Sequence, residues 1–193
     1  MKVIICTRDL TYGIGNYLFN IFPKYEKDDD ISKVILICPI TKEVKEEIID
    51  RPLTIKRFEL GALRLSYLFK KGIIKHAELT TEEINDTRLI RDSLMQSANS
   101  TFKANKKELH LIDKGETAAL ALSLLLKKKF KENIPIVIDE RTTRMLCENP
   151  ENLRKLFEKK LHIPIIANIN KYTLFRDFKI IRSTELAYIA FKK

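Results

Sequence analysis

Glycine and proline are scarce in this chain, five and six among 193 residues, and tryptophan is missing altogether. So little turn-forming chemistry excludes collagen-like repeats, flexible linkers and turn-rich all-β designs. Long apolar runs are lacking too: none approaches the roughly 18 residues that span a bilayer. The N-terminal run Val3-Ile4-Ile5-Cys6 meets Thr7-Arg8-Asp9 too soon for a secretory signal. A soluble, cytoplasmic protein is expected. The three cysteines, Cys6, Cys38 and Cys147, show no CxxC or Cys/His spacing, so neither a disulfide framework nor a zinc site is indicated. Cys6 and Cys38 each close an apolar run, where a thiol reads as a small buried hydrophobe. The Lys- and Ile-rich composition fits a heat-adapted source, which keeps a Cys6–Cys38 bridge as the less favoured alternative.

What is present is a core and an excess of positive charge. Hydrophobic residues make up 45% of the chain, enough for a folded domain and too many for a disordered polycation. Lys and Arg (36) outnumber Asp and Glu (26), giving a net charge of +10 that favours polyanions, nucleic acid first among them. Lys127-Lys128-Lys129 and Lys159-Lys160 fall at expected helix ends, where cations suit the helix dipole, so charge alone marks no binding face.

Periodicity gives an α/β rhythm. Buried strands are expected over residues 2–6, 34–38, 134–138, 163–167 and 178–181, with a short one at 109–112. Helices are expected over 11–22, over 42–50 with Thr41 as cap, and from Thr80-Thr81-Glu82-Glu83 to about Met95 or beyond. Further helices are expected over 117–126, over 148–160 with Leu153, Leu156 and Phe157 inward, and over 184–192. Residues 53–108 read as two or three helices, with a break at 97–100 and a polar stretch at 103–108. The alternation implies one domain with a mostly parallel sheet and helices on both faces.

In such sheets ligands bind beyond the carboxyl ends of the strands. Four acidic stations fall there: Asp9, the helix bearing Glu43, Glu46 and Glu47, the pair Asp113 and Glu116, and Asp139-Glu140. At about 100° per residue, Glu47 lies at the rim of the apolar face set by Val44 and Ile48, whereas Glu46 faces away. Asp113-x-x-Glu116 also fits a capping box, and Asp139 also fits a helix cap or turn former. Carboxylates converging at one sheet edge, without His or Cys, suit Mg²⁺ or Mn²⁺ rather than zinc. With a phosphate substrate, such ions activate a water and stabilise the leaving oxygen. Arg141 and Arg144 fit phosphate contact or a solvated helix face. His76, His110 and His162 have no partner spacing and read as structural or exposed. Thr11-Tyr12-Gly13-Ile14-Gly15-Asn16 invites a nucleotide-binding or glycosyl-transfer reading but lacks the third glycine of a dinucleotide fingerprint.

Three segments carry a family resemblance. Ile112-Asp113-Lys114-Gly115-Glu116-Thr117-Ala118-Ala119-Leu120-Ala121-Leu122 is similar to the GE-x-x-A-hydrophobic-A-L segment of PIN-domain (PilT N-terminus) proteins. Val137-Ile138-Asp139-Glu140-Arg141-Thr142-Thr143-Arg144 resembles their I-D-[DE]-R-x-x-R segment, and residues 39–48 resemble their second strand and helix. The chain thus resembles a divergent, archaeal-type PIN member over about half its length. The resemblance implies a three-layer α/β/α fold with a mostly parallel central sheet, here as a single domain over 1–193 with an enlarged helical insertion at about 53–108. It implies a metal-dependent ribonuclease cleaving single-stranded RNA, a toxin with an antitoxin partner or an RNA-processing enzyme. Glu47, Glu116 and Asp139 would be the catalytic and metal-site acids, with Glu140 and Asp9 as further metal ligands and Mg²⁺ or Mn²⁺ as the ion. Thr7, Arg141 and Arg144 would contact RNA, and the insertion would form a homodimer face or cover the site. The family's first Asp is replaced: the pair at the end of strand one reads Cys6-Thr7, and a thiol is a poor Mg²⁺ ligand. Either Asp9 substitutes, or the remaining acids suffice, or this is a non-catalytic RNA- or protein-binding module.

Overall fold

The computed structural model describes residues 2–6, 34–37, 49–70, 74–75 and 79–185, together with 188 and 192. The expected helix over 11–22, most of that over 42–50 with Thr41, and His76 lie outside the described residues. The chain is a mixed α/β protein in which helix outweighs strand. In order come β1 (Lys2–Cys6), β2 (Val34–Ile37), α1 (Arg51–Leu53), α2 (Lys56–Lys70), β3 (Ile74–Lys75) and α3 (Thr81–Asn99). The hairpin β4 (Phe102–Ala104) and β5 (Lys107–Glu108) precedes α4 (Lys114–Phe130), β6 (Ile136–Val137), α5 (Arg141–Glu148) and α6 (Pro150–Leu161). Last come β7 (Ile165–Ala167), a 3-10 helix (Ile169–Leu174) and β8 (Ile180–Ile181).

Among the described residues, five strands form one sheet in the order β3-β2-β1-β6-β8, every pairing parallel. Ile5 stands opposite Ile136 and Cys6 opposite Val137, while Ile136 and Val137 in turn face Ile180 and Ile181. Ile136, Val137 and Ile138 are fully buried, as a strand flanked on both edges and covered on its faces must be. The segment 53–108 contributes β3 to the edge of this sheet and a hairpin, besides its helices.

Helix α4 explains its own composition. It packs on β1 and β6 on one side and on α3 on the other, so residues 117–123, 125 and 126 are all buried. An Ala/Leu helix is the economical answer to burial on most sides. Lys127, Lys128 and Lys129 occupy the last turn and Lys131 closes it in the left-handed region at φ 56°. Helix α3 begins in a full capping box: Thr80 accepts from the Glu83 amide, and Glu83 accepts from the Thr80 amide. Glu83 also meets Lys129 at 2.8 Å, tying the start of α3 to the end of α4. The Lys129 hydrogen bond, with the Thr80 amide second, holds the Glu83 carboxyl below its ordinary 4.5. Its stabilising effect is therefore full above that value and lost as pH falls through the lowered one.

Several sequence expectations are corrected here. Helix α3 runs through the expected break to Asn99, because Ser100 and Thr101 turn their hydroxyls back onto the Gln96 and Ser97 carbonyls. The polar stretch 103–108 is a hairpin whose turn residues Asn105 and Lys106 take φ of 47° and 66°, the hand a tight hairpin needs. Residues 109–112 form no strand: the Leu111 and Ile112 amides both donate to the Asn99 side chain, at 2.7 and 3.0 Å. Strand β7 pairs antiparallel with β4 in a second sheet, order β5-β4-β7, rather than with the parallel one. Asn149 caps α6 through its side chain, and Leu153 is fully buried, with Leu156 and Phe157 packed on the core.

The second sheet reaches that core through Phe102, fully buried and edge-on to Phe157 and Tyr172, with ring centroids 6.3 and 6.1 Å away. Among the described residues no helix is long and apolar enough to cross a membrane. Phe102→Ala should cost about 3–5 kcal/mol in urea unfolding. Leu89→Ala, at a side chain 70% exposed, should stay within about 0.5 kcal/mol.

Candidate functional site at the carboxyl end of the parallel sheet

In the order β3-β2-β1-β6-β8 the chain leaves β1 toward one side for β2 and returns on the other as β6. That reversal is a topological switch point, where the carboxyl ends of neighbouring strands open a crevice. Three of the acids singled out by sequence lie toward this end and are described: Glu116, Asp139 and Glu140. Thr7, Asp9 and Glu47 lie outside the described residues, as does the Cys6 side chain.

Asp139 directly follows the buried end of β6. Its Oδ1 accepts the Ser183 amide at 2.9 Å, and the Ile138 amide donates to the Ile181 carbonyl at 3.0 Å. The carboxyl ends of β6 and β8 are thereby stitched together. Among the described residues no hydrogen bond engages Asp139 Oδ2. Glu140 behaves differently. Its Oε1 accepts from the Thr142 amide at 2.7 Å and its Oε2 from the Thr143 amide at 2.5 Å, so both oxygens cap α5. The cap that sequence reasoning had weighed for Asp139 is made by its neighbour.

Glu116 stands in the first turn of α4 and is only 8% exposed. Further along the same helix, the Ser123 hydroxyl donates to the Ile134 carbonyl at 2.9 Å, just before β6. The helix runs opposite to the strand it precedes. Glu116, two turns or about 10 Å nearer the helix start, therefore lies toward the same sheet end as Asp139. The expected Asp113–Glu116 capping box is not formed. Asp113 makes no side-chain cap and instead meets His110 Nε2 at 2.7 Å, while Thr117 turns its hydroxyl to the Asp113 carbonyl. His110 and Asp113 are 67% and 80% exposed, so their attraction is weak. His162 is exposed at the left-handed C-cap of α6.

Two residues that sequence reasoning missed stand beside these acids. Ser183 and Thr143 supply the amides that hold Asp139 and Glu140. Both are fully buried, and their own hydroxyls have no hydrogen-bond partner among the described residues. Ser183 follows β8 as Asp139 follows β6, but nothing in the sequence says that these two strands are neighbours. Arg141 is exposed. Arg144 is mostly covered, with its Nη1 3.2 Å from Glu148 and a buried Nε that has no partner among the described residues. Only the first fits a solvated face.

Among the described residues no three His, Cys, Asp or Glu side chains gather in a group that could hold a metal ion. Asp139 Oδ2 is the kind of hard oxygen a divalent cation takes, whereas both Glu140 oxygens are committed to its cap. Compared with protein-family models, curated proteins and solved structures, the chain matches none.

Cys147, on α5, is 4% exposed, and burial first, with the Glu148 charge second, pushes its thiol up to about 12. The folded state favours the neutral thiol, so this contribution is full below the ordinary 9.0 and is lost as pH climbs toward about 12. At pH 8, Cys147 should resist iodoacetamide in folded protein and label fully in denaturant, as read by peptide mass mapping. Glu140→Ala, which strips both cap bonds, should lower stability by about 1–2 kcal/mol in urea unfolding.

Proposed function

We propose that the chain is a PIN-like endoribonuclease that cleaves single-stranded RNA with Mg²⁺ or Mn²⁺, built as three α/β/α layers around its parallel sheet. The observation that carries this reading is Asp139 at the carboxyl end of β6. One of its oxygens is fixed by Ser183, the other is open among the described residues, and buried Glu116 lies toward the same end. Glu116 and Asp139 would hold the ion, joined by Glu47 and Asp9 from outside the described residues. When bound, the ion supplies an activated water and charge stabilisation at the leaving oxygen. The chain's own groups do the rest. The Ser183 amide aims Asp139, Glu140 fixes the start of α5, and exposed Arg141 offers a forked donor to backbone phosphate. The net charge of +10 raises the local concentration of any polyanion.

In this reading Thr7 and Arg144 assist RNA contact. The protein acts in the cytoplasm as a toxin neutralised by an antitoxin protein or as an RNA-processing enzyme, with residues 53–108 as a homodimer face or a cover. A second reading, a non-catalytic binding module of the same fold, is favoured by two specific observations. Cys6 closes the first strand where the resemblance calls for Asp, and both Glu140 oxygens are engaged.

Calorimetric titration of Mn²⁺ into metal-free protein separates the two. Heat of binding in the wild type, abolished in Glu116→Gln and Asp139→Asn together with cleavage of a single-stranded oligoribonucleotide, is the expected result. Salt-sensitive RNA binding indifferent to Mn²⁺, in folded protein that cuts nothing, would establish the binding module instead.

A further inference from the structure

The antiparallel unit β5-β4-β7 and the 3-10 helix line an open-mouthed cavity of about 540 Å³, to which the parallel sheet contributes no residue. Its size falls within the range of small-ligand pockets. The lining comprises Ser100, Thr101, Lys103, Glu108 and the continuous run 166–171. Lys103 and Glu108 stand opposite each other across the hairpin, 3.6 Å apart, and largely cancel. Lys171 is the charge left over. Its ammonium donates one hydrogen bond to the Ser100 hydroxyl, whose own proton goes to the Gln96 carbonyl. An ammonium carries three donors, so two remain for a ligand.

Two further features ask for more than a bare anion. Ile166 and Ile169 line the cavity at 67% and 66% exposure, so each offers uncovered aliphatic surface to a ligand. Asn168 occupies the cap position of the 3-10 helix without making a side-chain cap. Asn170 is exposed beside it, with no side-chain hydrogen bond among the described residues. The cavity therefore combines a cation, apolar walls and two amides that can each donate and accept.

We propose that this cavity binds a nucleoside monophosphate. The phosphate sits on Lys171, the base lies against Ile166 and Ile169, and the Asn168 and Asn170 amides meet its polar edge. A bare phosphate would leave the isoleucines in water, and a purely apolar ligand would leave two donors of the Lys171 ammonium without acceptors. The site is independent of the ribonuclease reading and of the acids at the parallel sheet. The same chemistry is offered by a free nucleotide and by the phosphorylated end of an RNA strand.

The test is calorimetric titration of the full chain, in chelator, with adenosine 5′-monophosphate, adenosine, inorganic phosphate and a 5′-phosphorylated oligoadenylate. Adenosine monophosphate should bind in the micromolar to low millimolar range and more tightly than adenosine or phosphate alone. Lys171→Gln should weaken it about tenfold, with Lys171→Arg restoring most of the loss. Ile169→Ser, at an exposed site that leaves folding intact, should weaken it about fivefold. Equal affinity for the oligonucleotide would assign the site to a strand end, and binding of the mononucleotide alone to a free ligand. Absence of binding in folded wild type, or affinity unchanged in both Lys171→Gln and Ile169→Ser, would overturn the proposal.

Discussion

The constraint from which most of this structure follows is the enclosure of α4. A helix pressed between α3 and the sheet strands β1 and β6 carries charged groups only near its ends, and its one mid-helix polar side chain, Ser123, is spent on the Ile134 carbonyl. Burial selects Ala and Leu along its length. It leaves one acid, Glu116, at the amino end, and it sends Lys127, Lys128 and Lys129 to the carboxyl end. Each terminus is then used. The lysine end reaches Glu83 on α3 and Asp177 ahead of β8, while the acidic end points toward the carboxyl edge of the sheet. Opposite charges at the two ends of one apolar rod also agree with the direction of the helix dipole. The same packing sets where β6 enters the sheet, and hence where Asp139 emerges from it.

The sequence was most legible where burial acts on consecutive residues. Ile134 to Ile138 and Thr117 to Leu126 are mostly apolar because they are covered on most sides, and a strand and a helix stand within or around those stretches. The pattern failed where side chains replace backbone as partners. Residues 109–112 look like a strand because Leu111 and Ile112 are buried, yet their amides go to one asparagine thirteen or fewer positions earlier, which no hydrophobic period encodes. It failed also for β7, whose Ile-rich run is as consistent with one sheet as with another. The strand pairs with β4, and Glu158 accepts the Ile165 amide at 3.2 Å, contacts that no local pattern encodes.

For the site, residue types were easier to read than duties. Asp139 and Glu140 are adjacent carboxylates after the same strand, and sequence gives no reason to separate them. Geometry does. Glu140 closes two open amides of α5, as a helix start requires, and Asp139 is left with one oxygen braced and the other open among the described residues. The residues that impose this division, Ser183 and Thr143, act through backbone amides. A backbone amide is common to almost every residue type, so its role leaves no mark in a sequence. Only their fully buried hydroxyls set them apart.

The bond from Ser183 to Asp139 spans forty-four positions of chain. A ribosome therefore delivers the carboxylate well before it delivers the amide that aims it, and folding proceeds from the amino-terminal side as the chain emerges. Until β8 has been made and stands beside β6, Asp139 lacks the Ser183 amide that braces it. The brace on this carboxylate is thus among the last to form, completed by the strand that closes the sheet beside β6.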